Sequence, residues 1–74
     1  MRRNKKLKDN DRYMITAQKA AKAERSGEFG VAGGLWETAS ELSQLDINRA
    51  WAESRSLYCR YSRYTRLSTI DEAA

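Results

Sequence analysis

The chain has one cysteine, Cys59, and no histidine among its 74 residues, and this limits how so short a chain can be stabilised. A single thiol cannot form an intramolecular disulfide, and a structural zinc site of the Cys/His type needs more ligands. A domain of this length buries only about 60% of the surface that its unfolded chain exposes. Association with another chain is the remaining way to stabilise such a small core. We therefore expect a single domain that forms a homodimer.

The composition favours helices. The chain contains no proline and few β-branched residues, and alanine, glutamate, leucine, lysine and arginine dominate. No segment alternates apolar and polar residues for long enough to predict a strand. The sequence therefore predicts an all-α fold.

Apolar residues at helical spacing predict three helices, over about residues 9–25, 28–44 and 49–64 or a little beyond. Ser26 and Gly27 should end the first helix, because glycine readily adopts the left-handed conformation that follows a helix. The break between the first two helices is so short that they should pack antiparallel as an αα-hairpin, to which the third helix is added.

The start of the first helix and the interior of the second carry the most informative single residues. Either Asp9 or Asp11 can accept hydrogen bonds from the first free amides of helix one. Gly33 lies inside helix two, where glycine costs about 1 kcal/mol relative to alanine. Either the neighbouring helix backbone approaches closely at Gly33, or this turn is soft and orders on binding. The predicted core consists of Tyr13, Ala17, Phe29, Ala32, Ala39, Trp51 and Cys59.

Charge is distributed unevenly along the chain. Residues 1–12 hold six basic and two acidic side chains, residues 13–48 hold three basic and five acidic, and residues 49–74 hold five basic and three acidic. The centre is therefore mildly acidic, and both ends can approach an anionic surface.

The predicted domain covers residues 9–66. We expect residues 1–8 to form a mobile basic arm and residues 67–74 a flexible tail. The opening MRRNKKLKDNDR carries charge where a signal peptide needs an apolar segment, and no run approaches the roughly 20 apolar residues of a membrane span. We expect a cytoplasmic protein.

Residues that could perform enzyme chemistry are few. Histidine, the commonest general base, is missing. The glycine-rich GEFGVAGG lies inside a helical pattern and does not follow a strand, so it does not resemble a phosphate-binding loop. Cys59 has no neighbouring base in the sequence, which favours a packed or interfacial thiol. We expect no enzymatic activity, no cofactor and no metal.

The segment SLYCRYSRYTR, residues 56–66, interleaves three tyrosines with three arginines. Tyrosine and arginine are enriched at protein–protein contacts. They also bind nucleic acid by stacking on bases and pairing with phosphates. From these residues alone, a protein interface, a nucleic-acid interface and an ordinary solvated face all remain open.

Two longer segments carry a resemblance. The stretch ERSGEFGVAGGLWETA looks like the tight hairpin of tetratricopeptide-type proteins, in which small residues let two helices approach. KAAKAERSGEFGVAGGLWETASEL and LDINRAWAESRSLYC together resemble the ANR family, the AraC negative regulators of bacteria and phages. The resemblance covers about residues 13–60. It rests on Glu24, Arg25, Gly27, Leu35, Trp36, Ala39, Asn48, Trp51, Arg55 and Cys59.

The resemblance implies regulation of transcription by protein contact. ANR proteins bind AraC-type activators and hinder their dimerisation or DNA binding, so the resemblance favours a protein interface. A small basic nucleic-acid-binding accessory protein, or a phage-encoded inhibitor of another host protein, is the alternative. The residues predicted to bind the partner are Leu35, Trp36, Arg55, Tyr58, Arg60, Tyr61, Arg63 and Tyr64.

Overall fold

The computed structural model describes the backbone of residues 9–73 and the side chains of residues 9–62. It contains three helices, α1 (Asp11–Arg25), α2 (Phe29–Leu42) and α3 (Asp46–Ala73). The described residues include no strand, and the all-α prediction is confirmed. No helix in this part of the chain combines the length and the apolar character needed to cross a membrane. The predicted arm, residues 1–8, lies outside the described residues.

The residue that caps α1 is Asn10, not Asp9 or Asp11 as the sequence suggested. Asn10 has an extended backbone, and its side-chain oxygen accepts a hydrogen bond of 2.8 Å from the Tyr13 amide. Asp11 lies in the first turn, where a negative charge is favourable beside the free amides. Asp9 is buried and serves a different purpose, described below.

The end of α1 follows the prediction. Gly27 has a φ of +82°, which lies in the left-handed region that glycine adopts without strain. The Glu28 amide bonds to the Ala23 carbonyl at 2.9 Å and the Gly27 amide to the Glu24 carbonyl at 3.0 Å. These two bonds form a Schellman motif, which satisfies carbonyls at the helix end. Helix α2 can therefore start only two residues later, at Phe29.

The first two helices are antiparallel. The side-chain amide of Asn10, at the start of α1, donates a hydrogen bond of 2.9 Å to the carbonyl of Leu42, at the end of α2. Helix α2 packs against both α1 and α3, and contacts between α1 and α3 are few. The hairpin predicted from the short connection is thus present, with α2 as the central element.

Helix α3 is longer at both ends than the sequence suggested. It begins at Asp46, three residues before the predicted start at Arg49, and it continues to Ala73. Asp46 favours the earlier start because its charge lies in the first turn, where it also pairs with Arg49 at 2.9 Å. Residues 67–73 are therefore helical, whereas the sequence assigned them to a flexible tail.

The core is narrow and rich in alanine. Its buried apolar residues are Tyr13, Ala20, Ala23, Ala32, Trp36, Ala39, Ala52 and Cys59. Of the predicted core residues, Tyr13, Ala32, Ala39 and Cys59 are buried. Ala17 and Phe29 are partly buried and pack against the core.

The prediction that Trp51 belongs to the core is wrong. Its exposed fraction is 54%. The side of α3 that faces α2 carries Ala52, Ser56 and Cys59, and Trp51 is rotated by about 100° from Ala52 around the helix. The tryptophan in the core is Trp36, which is only 5% exposed.

Candidate partner-binding face

Helix α3 carries a row of exposed side chains on the side away from α2. Its members are Ile47, Trp51, Ser54, Tyr58 and Tyr61, which we call the outer stripe. Their spacing of four, three, four and three residues places them on one face of the helix. Tyr61 is 70% exposed, Ile47 66% and Tyr58 48%. None of the five carries a charge at neutral pH.

The exposed large apolar side chains are concentrated on α3. The exposed large hydrophobic side chains in the described part of the chain are Ile15, Val31, Ile47, Trp51, Leu57, Tyr58 and Tyr61. All but the first two lie on α3. Single exposed apolar residues are ordinary, whereas several large ones on one helix are more typical of an interaction site.

Arg55 joins the outer stripe to the hairpin. Its guanidinium carbon lies 4.4 Å from the ring centroid of Tyr58 and 5.5 Å from that of Trp51, within the range of cation–π attraction. Its Nη2 atom forms an ion pair with the carboxylate of Glu24 on α1. Tyr58 also meets Phe29 edge-to-face, with ring centroids 6.4 Å apart. The two aromatic rings are therefore held in position before any partner arrives.

Glu24 connects this surface to the core. One carboxylate oxygen accepts a hydrogen bond of 2.9 Å from the indole nitrogen of Trp36, and the other pairs with Arg55. Trp36 thereby places its ring in the core without leaving its N–H group unsatisfied. Glu24 thus touches residues of all three helices.

Asp9 stabilises the other end of the helical hairpin, where α1 begins and α2 ends. It is 7% exposed, and its oxygens accept hydrogen bonds from the Ser43 hydroxyl at 2.5 Å, the Gln44 amide at 3.0 Å and the Asn48 side chain at 3.2 Å. The backbone amide and the side-chain amide of Asn10 donate two further bonds, of 2.8 Å and 2.9 Å. Burial raises the pKa of the Asp9 carboxyl, but these donors outweigh it and hold the pKa well below its usual range. A single ionised carboxylate therefore ties the start of α1 to the turn before α3.

Cys59 lies between α2 and α3, beside Gly33. The Ser56 hydroxyl donates a hydrogen bond of 3.1 Å to the Gly33 carbonyl, and a side chain at position 33 would lie 3.5 Å from Cβ of Cys59. Gly33 therefore marks the close approach of α3, in agreement with one of the two interpretations of the sequence. Burial raises the pKa of the Cys59 thiol, and the charge of Arg55 only partly offsets this. A fully buried, protonated thiol is a packing residue and a poor nucleophile.

The groove between α2 and α3 is lined by more acidic than basic side chains. Arg60 extends from α3 to Glu37 of α2, with 2.9 Å between the charged atoms, and both side chains are more than half exposed. Glu41 and Glu53 line the same groove. Arg60 is exposed, as predicted from its position, but it is engaged by its own chain.

The residues predicted to bind a partner separate into three groups. Tyr58, Arg60 and Tyr61 are exposed on α3, and Arg55 is half-buried beside Tyr58. Leu35 packs against the core, and Trp36 is buried in it, so assigning Trp36 to a partner contact was wrong for this conformation. The side chains of Arg63 and Tyr64 lie outside the described set.

Some residues of this surface were not predicted, although their spacing is visible in the sequence. Ile47, Ser54 and Leu57 were not among the predicted contact residues, although the spacing of the outer stripe begins at Ile47. The late predicted start of α3 placed Ile47 in a turn and hid that spacing. The local sequence predicts only a helix cap at Asp9, since three of its donors, on Ser43, Gln44 and Asn48, are 34 to 39 residues away in sequence.

Comparison of the chain with protein-family models, with curated proteins and with solved structures gives no match.

Proposed function

We propose that the chain is a small cytoplasmic regulator of transcription that binds an AraC-type activator and hinders the activator's dimerisation or its binding to DNA. The observation that carries the proposal is the outer stripe. A helix whose small residues face its own core and whose large aromatic residues face outward is built to contact another protein. The identity of the activator class comes from the ANR resemblance.

The chemistry of the outer stripe suits a protein partner. Tryptophan, tyrosine and arginine dominate the binding energy of protein interfaces. Trp51 and Tyr58 flank Arg55, whose charge is already paired with Glu24, so a partner can cover both rings without burying an unpaired charge. Because the rings are held in place, little side-chain entropy is lost on binding.

Charge on the described helices argues for a protein and against DNA as the ligand of this face. Residues 9–62 contain seven basic and eight acidic side chains, and α2 has no basic residue. A surface that binds DNA needs an excess of positive charge for the phosphates. The acidic groove beside α2 would instead favour the encounter with a basic DNA-binding domain.

The test is promoter occupancy by a purified AraC-type activator of the host, measured with and without this protein. We expect the protein to lower occupancy without shifting the promoter DNA alone. Tyr61→Ala should weaken inhibition, because it removes an exposed ring from the outer stripe. Val31→Ala is the matched control, since Val31 is an exposed apolar residue of α2 that lies away from the stripe.

Two results would contradict the proposal. Failure of the protein to bind any AraC-type activator of its host would remove the activator as the partner. A shift of bare DNA that weakens steeply with salt would instead support nucleic-acid binding, because phosphate contacts release counterions.

A further inference from the structure

We propose that the outer stripe is also the surface through which two copies of this chain pair, so that self-association and activator binding exclude one another. The inference names a regulation of the proposed binding face and therefore rests in part on the proposed function. Its first half, pairing of two α3 helices, concerns the protein alone.

The spacing of the outer stripe matches the seam of a helix pair. Intervals of four, three, four and three residues from Ile47 to Tyr61 are those of the a and d positions of a coiled coil. Leu57 is exposed at a position flanking this row and widens the apolar strip. The seam lies on one uninterrupted helix, because α3 runs from Asp46 to Ala73.

The distribution of apolar side chains favours a second copy as the occupant. Five of the eight buried apolar core residues are alanines, whereas five large hydrophobic side chains are exposed on α3 alone. A domain this small has little core of its own, and pairing would bury the apolar side chains that its fold leaves outside. A hydrophobic interface of this kind is typical of homodimers.

Charge permits the pairing. The stripe residues are uncharged, so two stripes can meet without like charges opposing each other, although the whole chain carries a net charge of +4. The other helices offer no equivalent surface in the described part of the chain. Ile15, the exposed apolar residue of α1, shares its helix face with Arg12 and Lys19, three and four residues away.

Ser54 is the position that tests the pairing most directly. It is exposed at the centre of the stripe, between Trp51 and Tyr58, and is the one small polar residue in the row. In a two-fold arrangement centred on the stripe, the two copies of Ser54 approach each other. Ser54→Leu should then tighten the dimer at least about tenfold and Ser54→Glu should weaken it by a similar factor, as measured by sedimentation equilibrium. Thr38→Leu and Thr38→Glu, at an exposed position of α2, are the controls.

Exclusion of the activator is tested with a covalently locked dimer. Ser54→Cys introduces an exposed thiol, while the native Cys59 is fully buried. Oxidation should join two copies through residue 54, with loss of two protons and two electrons to an added oxidant such as diamide. The purified locked dimer should lower promoter occupancy less than the same Ser54→Cys chain kept reduced, and reduction of the disulfide should remove that difference.

Each result supports or overturns a separate statement. A wild-type chain that stays monomeric at about 100 µM, or a Ser54→Leu chain no more associated than the wild type, overturns the pairing and leaves the proposed function standing. A locked dimer that inhibits as well as the reduced protein overturns the exclusion alone. If the wild-type protein fails to inhibit, the proposed function fails, and sedimentation still decides the pairing.

Discussion

The two sides of α3 are built in opposite ways. The side that faces α2 carries Ala52, Ser56 and Cys59, small residues that let the helices approach closely at Gly33. The outward side carries Trp51, Tyr58 and Tyr61. In a helix that only supports a core, the large residues face inward. In α3 the large apolar side chains instead face outward, where they are accessible to another molecule. The fold itself is held by packed alanines, hydrogen bonds and ion pairs.

The largest effect should come from comparing the two tryptophans. Trp36→Ala should remove about 3–5 kcal/mol of unfolding free energy, because it opens a cavity in the core and frees Glu24 from its indole partner. Trp51→Ala should cost at most about 1 kcal/mol, since its ring is half exposed and its main loss is the contact with Arg55. Chemical denaturation followed by circular dichroism measures both.

The functional readout should invert this order. Trp51→Ala should remain folded yet lose inhibition of the activator. A Trp51→Ala chain that unfolds would show that the outward side of α3 is needed for folding, and the contrast between the two sides would collapse.

Asp9 gives the next largest effect. Asp9→Asn keeps the size of the side chain but removes the charge that five donor groups share, so we expect a loss of about 2–3 kcal/mol. Because the folded pKa lies below the unfolded value of about 3.9, this stabilisation is present above about pH 4 and is lost as pH falls further. Denaturation at pH 7 and pH 3 measures it.

The acid sensitivity provides the control for Asp9. The difference between wild type and Asp9→Asn should shrink at pH 3, where the unfolded wild-type chain takes up a proton. A constant difference between the two pH values would show that the Asp9 charge contributes nothing and that shape alone matters.

Glu24 tests whether the two sides of α3 are connected. Glu24→Gln can still accept the hydrogen bond from Trp36 but loses the ion pair with Arg55, and we expect a loss of about 1–2 kcal/mol. Freed from its partner, Arg55 should hold Tyr58 less firmly and weaken activator binding. Glu28→Gln, at an exposed position just before α2, is the matched control. If the two variants bind the activator equally well, the ion pair between Glu24 and Arg55 does not support the outer stripe.

The smallest effects concern the glycines of α2. Gly34→Ala should stabilise the chain by about 0.4–1 kcal/mol, because a methyl group there meets only open space and alanine loses less backbone entropy. Gly33→Ala should gain no more than this, since the new methyl would touch Cys59 and Ser56 at ordinary contact distance. Thermal unfolding of the two variants gives the comparison.

A larger side chain sharpens the contrast between the two glycines. Gly33→Leu should destabilise the chain by forcing α3 away from α2, whereas Gly34→Leu should be tolerated. If both leucine variants are equally stable, the close packing on the inner side of α3 is not what holds that helix in place.

Much of the fold followed from local patterns, while the orientation of α3 did not. Gly27 and the short break after it predicted the hairpin, because a left-handed residue at a helix end is a local property. The sequence predicted Trp51 in the core, yet its ring lies on the outward side of α3 together with Tyr58. Sequence periodicity shows which residues share a helix face but not what that face contacts. In α3 the small residues opposite Gly33 determine which side packs against α2. The role of Asp9 depends on donors more than 30 residues away, which no local pattern contains.

The order of packing also has a consequence for how quickly the chain reaches its native state. Since α2 contacts both neighbours and α1 hardly meets α3, most tertiary contacts join helices that follow each other in sequence. Helical domains of such low contact order fold in microseconds to milliseconds. Synthesis of the chain takes several seconds, at about 5–20 residues per second. Folding of this unit therefore adds no appreciable delay to its synthesis.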